Sequence, residues 1–521
     1  MGIFDYFGFG RKPSPSSSEE ASAAPKRQTP RPQQYMSLNQ YLSLRGYTIE
    51  DLQLKAYEIL WDSIHASSFI EQMTHLTINT GLSLESTPVQ SVLGITSDEA
   101  QTWAAKVEDR FRVWQDQKEC DYTGRNNFRQ FQIAEFWTKM LLGEHLSIIR
   151  YSTDENRLNP VSIQAIPPTM ITDAEPADYE RVRRANGDIV DGIEIDSKGM
   201  EVAVYLEVSN ADGNASSKRF PYFGQRSGRQ MIIHGYTARE PGRYRGIPIL
   251  AKVFNELKKI ADAQIFELGS MAANATILGS IEREQPVNHL EKLSSVLEDV
   301  GSESTANAMS CGTNPLSSDK IDVSKGGVFL QNLEAGEKLS VLKTDRPNLN
   351  IPEFINQLFQ WIGPAVGLPA SVWKMQFSQN YSASKGELEL AWRNMDVHAA
   401  EFSADFNRVV YEAWLQGEIG KGEVSVSNWS DPYSRAAWSS ASWGRIPIPA
   451  LNPLQEAKAS TELVGQGFST REREAQRRTG SSFTNNVDRL GIENEALAEA
   501  NASLSENEES VDGSSEPENE D

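Results

Sequence analysis

The chain has 521 residues, 39% of them hydrophobic, and carries 50 Lys and Arg against 72 Asp and Glu, a formal net charge of −22. That length exceeds the roughly 250–300 residues at which one hydrophobic core stops growing, so more than one packed unit is expected. The acidic balance excludes a chain that as a whole presents the basic face of a sequence-reading DNA binder. It fits a wall that does not hold phosphates by counterion release, although acidity by itself indicates solubility.

Mean hydropathy is −0.48, and no run approaches the roughly 20 apolar residues of a membrane span. The opening Met-Gly-Ile-Phe-Asp-Tyr-Phe has an early acid and no basic region, so it does not read as a secretory signal. Residues 11–34 are rich in Ser, Pro and basic residues, and 1–36 is expected to be a disordered arm.

The folded part begins with helical spacing at Leu52, Tyr57, Leu60, Ile64, Ile70 and Met73, with no Pro from Thr48 to Ser86. A second helix is expected with Ser97 as N-cap, then Trp103, Val107, Phe111 and Trp114 at three- and four-residue steps. Phe128 to Leu142 reads as a third. From Leu146 to Ile233 the period shortens. Leu146–Tyr151, Val161–Ile166, Gly192–Ile195 and Val202–Val208 are short apolar or alternating runs parted by Pro, Gly, Asn and Asp, with a polar loop around Asn210–Lys218. Ile247 to Ala273 then reads as one long helix, its start marked by Gly246 and Pro248. A loop-rich stretch follows to residue 345, holding a helix near Asn288–Leu297, the polar run Gly301–Ser324 and two short strand-like pieces. Helices return at Ile351–Val366 and Gly386–Glu418. A Trp/Ser/Pro-rich link (Asn428–Pro453) leads to a helix from Leu454 to Leu463, and an acidic disordered tail is expected over 491–521.

Sites of chemistry are scarce. The two cysteines, Cys120 and Cys311, lie far apart without a His/Cys cluster, which reads as two reduced thiols. Ala335-Gly336-Glu337-Lys338 lacks the glycine loop of a phosphate cradle, and neither H-E-x-x-H nor G-x-S-x-G occurs. His65, His75, His145, His234, His289 and His398 are scattered and read as structural or surface residues. Glu194 and Asp196, two apart on an expected strand, form the one candidate acid/base pair, against the plainer reading of a solvated strand face. No catalytic residue, metal or cofactor is expected. The residues alone support a multi-domain, non-enzymatic assembly protein of mixed helix and strand.

Several blocks, in order, resemble the portal proteins of lambda-type tailed phages. They begin with Asn79-Thr80-Gly81-Leu82-Ser83-Leu84. Trp114 with Cys120-Asp121-Tyr122-Thr123-Gly124-Arg125, Phe128 and Gln132 follows, then Gly143-Glu144. Next come Asp191-Gly192-Ile193-Glu194-Ile195-Asp196 with Gly199 and Ala203-Val204-Tyr205, and Ile233-His234 with Arg239 to Pro248, including Pro241, Gly242, Arg245 and Gly246. Gly367-Leu368-Pro369 with Asn380 to Gly386 follows, and Asn452-Pro453 with Glu456-Ala457, Gly467 and Thr470 closes the series. Seven blocks across about residues 50–480 make coincidence a poor explanation. The departures are single residues: Glu240, Arg243 for Gln, Lys385 for Arg, Asn452 for Asp and Gln455 for Lys. Lys385 keeps the charge but loses bidentate geometry.

The resemblance implies an α+β portal fold with wing, stem, clip and helical crown, assembled as a ring with a central channel. It places the wing at 37–240, the first stem helix at 241–275, the clip at 276–345 and the second stem helix at 346–370. The channel loop falls at 371–385, and the long helix with wing and crown at 386–490. Lys374, Gln376, Gln379, Asn380, Tyr381, Ser382 and Lys385 are then expected to face DNA. That polar segment suits transient phosphate contact without strong binding. The implied partners are further copies of this chain in a ring of twelve, the terminase large subunit, major capsid and scaffold proteins, head–tail adaptors, and double-stranded DNA passing without sequence recognition. No membrane is implied, and the place of action is the capsid vertex, reached from the host cytoplasm during assembly. Two other classes stay open: a coat or tail-tube subunit, and a soluble enzyme lacking a short motif.

Overall fold

The computed structural model describes residues 42, 46–209, 214–239, 241–276, 280–283, 337–340, 350–377, 381–445, 452–481 and 483–512. The basic arm, Cys311, His289, the expected helix at Asn288–Leu297 and the run Gly301–Ser324 lie outside these residues.

The first helical stretch is two helices, α1 (Ile49–Asp62) and α2 (Ile64–Thr77). Ser63 divides them. Its extended backbone ends α1 with an N–H donated to Ile59, and its hydroxyl accepts from the Ala66 amide to begin α2. Apolar spacing does not register such a break, because both halves keep the same buried face. Thr48 and Asp51 form a reciprocal cap at the start of α1. Strand β1 (Ser83–Ser86) precedes α3 (Ser97–Asp116). The N-cap of α3 is Thr96 rather than Ser97, because Thr96 closes a capping box with Glu99. Helix α4 (Phe128–Leu142) has the expected bounds, capped by Asn127 and Gln130 and stopped by Gly143 at φ +86°.

The β-rich part forms two antiparallel sheets. β2 (Glu144–Tyr151) lies between β3 (Val161–Ile166) and β8 (Ile232–Tyr236). The second sheet runs in chain order through β4 (Asp188–Val190), β5 (Ile193–Ile195), β6 (Glu201–Ser209) and β7 (Ala215–Pro221). Part of the expected polar loop is therefore strand: Ala215 to Lys218 pair with Ser209 to Leu206. A helix that strand periodicity does not suggest, α5 (Pro176–Arg184), packs on β4.

The expected long helix from Ile247 starts as a 3-10 turn (Ile249–Lys252) and becomes α6 (Phe254–Thr276). Beyond it β9 (Ser280–Arg283) pairs antiparallel with β10 (Glu337–Ser340). Helix α7 (Ile351–Val366) is followed by a helical turn at Ala370–Trp373 and by α8 (Tyr381–Phe402), which begins five residues before the expected Gly386. A π-helical turn (Ser403–Asn407) joins α8 to α9 (Arg408–Lys421). Then come α10 (Pro432–Trp438) and β11 (Ala441–Gly444), which pairs back to β1. Helices α11 (Pro453–Gly465), α12 (Arg471–Thr479) and α13 (Phe483–Asp512) close the described chain. The acidic end is thus helical as far as Asp512, not a tail from 491. Its Ala, Leu and Glu residues are strong helix formers and outweigh the charge.

The main core gathers α1–α4 and α6–α9 around Phe69, Phe111, Trp114, Phe128, Trp373 and Trp414. A second, smaller core fills the space between the two sheets, from Leu146 and Ile148 to Ile193, Val204 and Tyr222.

Candidate functional site

The motif residues His234, Arg245 and Gly246 meet Glu144 where α4, β2, β8 and the approach to α6 converge. Glu144 opens β2 directly after Gly143, so the stop of α4 sets its position. Its carboxylate is fully buried and takes Arg245 Nη2 at 2.7 Å and Nε at 2.9 Å, Gln53 Nε2 at 2.9 Å, His234 Nε2 at 3.1 Å and the Gly246 amide at 3.0 Å. Burial alone would raise the Glu144 pKa. The Arg245 guanidinium and the His234 hydrogen bond overcome it and hold the carboxyl at about 2. The other His234 ring nitrogen meets the Tyr222 hydroxyl at 2.9 Å, and Arg245 Nη1 donates to the Asp191 carbonyl at 3.0 Å. The arrangement ties the two sheets, α1 and the approach to α6 into one joint, with every acceptor site of the carboxylate used.

Two glycines permit this approach. A Cβ on Gly143 would sit 2.2 Å from the Ile247 carbonyl carbon, and one on Gly246 would sit 2.1 Å from the Gly143 carbonyl oxygen. Both obstacles are backbone, which cannot rotate aside. Pro248 leads the 3-10 turn that follows, and Pro241 and Gly242 lie in the turn between β8 and Arg245.

A second buried ionic group adjoins the first. Lys139 is buried and donates to Asp405 Oδ2 at 3.1 Å within the π-helical turn, and His145 Nδ1 lies 3.2 Å from Glu135 Oε2. Burial pushes Glu135 up to about 8 and drives His145 well below its ordinary range, so carboxyl and imidazole are mainly neutral neighbours near pH 7. Periodicity hides Glu135, Lys139 and Asp405, because each occupies a helical position that reads as solvated. An acid and a base flanking an otherwise apolar α4 face is the signal that remains.

Glu194 and Asp196 are not a pair. The register shifts between Glu194 and Ile195, and the strand ends at Ile195. Glu194 turns inward to Arg219 Nε at 2.6 Å, Arg181 Nη2 at 3.0 Å and Tyr205 at 3.0 Å. Burial raises its pKa, but the two arginines lower it to about 2, which makes it a poor proton acceptor near pH 7. Asp196 instead caps its own turn, accepting from the Lys198 and Met200 amides.

Asp121 organises the loop before α4, accepting from the Thr123 amide at 2.8 Å, the Asn126 amide at 3.0 Å and the Thr123 hydroxyl. Gly124 lies in that loop and Gly192 in the turn before β5. Cys120 is buried and free, with burial pushing its thiol up to about 12. His65 and His75 both lie on α2, and His65 packs edge-on to Phe359. Among the described residues, no group of three or more His, Cys, Asp or Glu is placed to hold a metal, and no helix is long and apolar enough to cross a membrane.

The segment expected to be the channel loop is anchored at one end. Pro369 leads the turn Ala370–Trp373, and Trp373 is buried against Phe69 and Phe359 while donating Nε1–H to the His65 carbonyl at 2.9 Å. Lys374 Nζ donates to Asn356 Oδ1 at 2.7 Å, and Met375 follows at φ +52°, an unfavourable backbone for a residue without a compact polar side chain. Met375, Gln376 and Phe377 are exposed, so the segment is less uniformly polar than the sequence suggests. Gln379 and Asn380 lie outside the described residues. Tyr381 and Ser382 fall in the first turn of α8. Lys385 lies on α8 and pairs with Glu456 at 3.7 Å, and Glu456 also takes Arg478 at 2.7 Å. Pro453 occupies the first turn of α11, three residues before Glu456.

A family model described as phage portal protein, lambda family, matches residues 45–398, which hold the joint, both sheets and α6 to α8. The chain belongs to the lambda family of phage portal proteins. The portal protein of Escherichia phage N15 is 20% identical over 442 residues, covering 81% of this chain and 80% of its own length. Portal protein B of Escherichia phage lambda is 20% identical over 437 residues with the same coverage. Among solved structures, chains from the neck of an empty gene transfer agent (GTA) particle computed with C6 symmetry are similar at 12% identity and TM-score 0.44, covering 81% of this chain and 92% of that one. Portal membership sets aside the coat and tail-tube alternatives.

Proposed function

We propose that copies of this chain form a dodecameric ring at the unique capsid vertex, through which the terminase packages the genome and from which it later leaves. The observation that carries this is the family match across residues 45–398, together with the order helix, excursion, helix within it. In this reading residues 37–240 are the wing, and α6 and α7 are the two stem helices. Residues 276–345 form the clip where terminase and then head–tail adaptors dock, and residues 371–385 face the channel. The remainder to 490 supplies the long helix, wing and crown.

Surface chemistry supports it. Ile265, Phe266 and Leu268 on α6 and Phe354 and Trp361 on α7 are exposed. Large apolar side chains concentrated on the two stem helices suit burial between neighbouring subunits. The exposed polar residues Gln376 and Ser382 suit passing phosphates, since few cations means little counterion release and little drag. The role is mechanical, with no catalytic step assigned to this chain, and capsid, scaffold and virion contacts belong to the same reading. Negative-stain electron microscopy with mass photometry tests it. Rings with a central hole and a mass near twelve chains of 58.0 kDa are expected. Monomers only, or tubes without a hole, would overturn it.

A further inference from the structure

Helix α13 leaves α12 with its first residue pinned. The Phe483 amide donates to Glu472 Oε2 at 2.8 Å, and Arg471 lies over the Phe483 ring. After that anchor the helix carries an uncovered stripe. Val487, Leu490 and Leu497 are 46%, 54% and 60% exposed. With Asn494 and Asn501 they recur at steps of three, four, three and four, and the sequence holds the register at Leu504. This is a heptad seam, with Leu490 and Leu497 at d and Val487, Asn494 and Asn501 at a. Ile492 lies on the opposite side of the helix and takes no part in it.

The flanks indicate which partner fits. Asp488, Glu495 and Glu499 all lie away from the seam. The positions beside it are Asn486, Gly491, Glu493, Ala498 and Ala500, small or uncharged except Glu493. Glu493 is already met by Arg489 of its own helix at 3.5 Å. From Val487 to Leu504 the seam carries no charge, so this stretch can lie against an identical helix without facing its own charges, and Glu508 at the next a position marks where the pairing ends. A basic partner would find no acid within the seam from Val487 to Leu504 to pair with. Asn at a is tolerated in a two-stranded seam because like faces like across the pair.

We infer that α13 pairs with α13 of a neighbouring copy as a parallel two-stranded coiled coil standing off the ring. The parallel direction and the local concentration rest on the ring reading, since copies about a rotation axis point the same way along it.

Cysteine cross-linking in the full chain tests this, in a Cys311→Ser background where Cys120 stays buried. Leu497→Cys places a thiol in the seam and Glu499→Cys places one outside it. On mild oxidation of assembled rings, the Leu497→Cys protein is expected to give several-fold more covalent dimer than the Glu499→Cys protein. Rings that form normally but cross-link equally at both positions, or at neither, overturn the pairing and leave the portal ring intact. Absence of rings overturns the ring reading. In that case selective dimers at 497 would still support the pairing, and their absence would sink it too.

Discussion

The joint around Glu144 and the C-terminal helices α11–α13 handle charge in opposite ways. In the joint a carboxylate is removed from water and given five hydrogen-bond donors from four residues, so the charge is held inside the protein by one arrangement only. In α11–α13 the described carboxylates, Glu474 apart, sit in or near solvent. Glu456 shares Arg478 and Lys385 at partial exposure, and Glu474 alone among the described residues of these helices is classed as buried. The first region specifies geometry and tolerates no missing partner. The second is a solvated bundle whose ion pairs are replaceable, and its shape depends more on what it meets.

The largest effect should come from breaking the buried side of that contrast. Arg245→Met leaves the Glu144 charge without its main partner, and loss of one member of a buried pair costs about 3–5 kcal/mol. A marked drop in Tm and in the urea midpoint is expected. An unchanged Tm would show that the joint is wetter than its geometry implies.

A pH series sharpens the comparison, because the two buried glutamates have opposite signs. Glu144 has a folded pKa of about 2, below the ordinary 4.5, so its stabilising contribution is present above pH 4.5 and is lost as pH falls towards 2. Glu135 has a folded pKa of about 8, above that value. Its contribution is complete below pH 4.5 and is lost as pH rises through 8, where the buried carboxyl must ionise. Glu135→Gln should therefore raise Tm by a few degrees at pH 8.5 and change it little at pH 4.5. Thermal melts of both proteins at the two pH values check this, and an equal shift at each would contradict it.

The smallest effect belongs to the exposed side. Glu456→Gln removes a partly solvated pair, and such pairs are worth roughly 0.2–1 kcal/mol. Tm should move by no more than a degree or two, with added salt shrinking the difference further. A drop as large as that of Arg245→Met would mean the C-terminal helices are built as tightly as the joint.

Much of this molecule is legible in its residues. The bounds of α4, the strands β2, β3, β5 and β6, and helix α7 follow from local periodicity and caps, because each buries one face over an unbroken stretch. Ser63 dividing two helices, the π-helical turn at Ser403–Asn407, and α13 in place of an acidic tail were not legible. A break or a bulge leaves the apolar spacing almost unchanged, and the charge of a segment does not by itself prevent a helix. Similarity of ordered blocks pointed to the family, and His234, Arg245 and Gly246 stood among them.

The sequence by itself determined the type of most elements, the family and the glycines and prolines at the turns, since these depend on neighbours within a few residues or on matching motifs. Only the tertiary structure decided that Glu144, 101 residues before Arg245, is its partner. It likewise decided that Glu194 and Asp196 part company and that Lys385 meets Glu456. Burial of a charge depends on which distant groups surround it, and the strand register and helix packing that bring those groups together are properties of the whole fold.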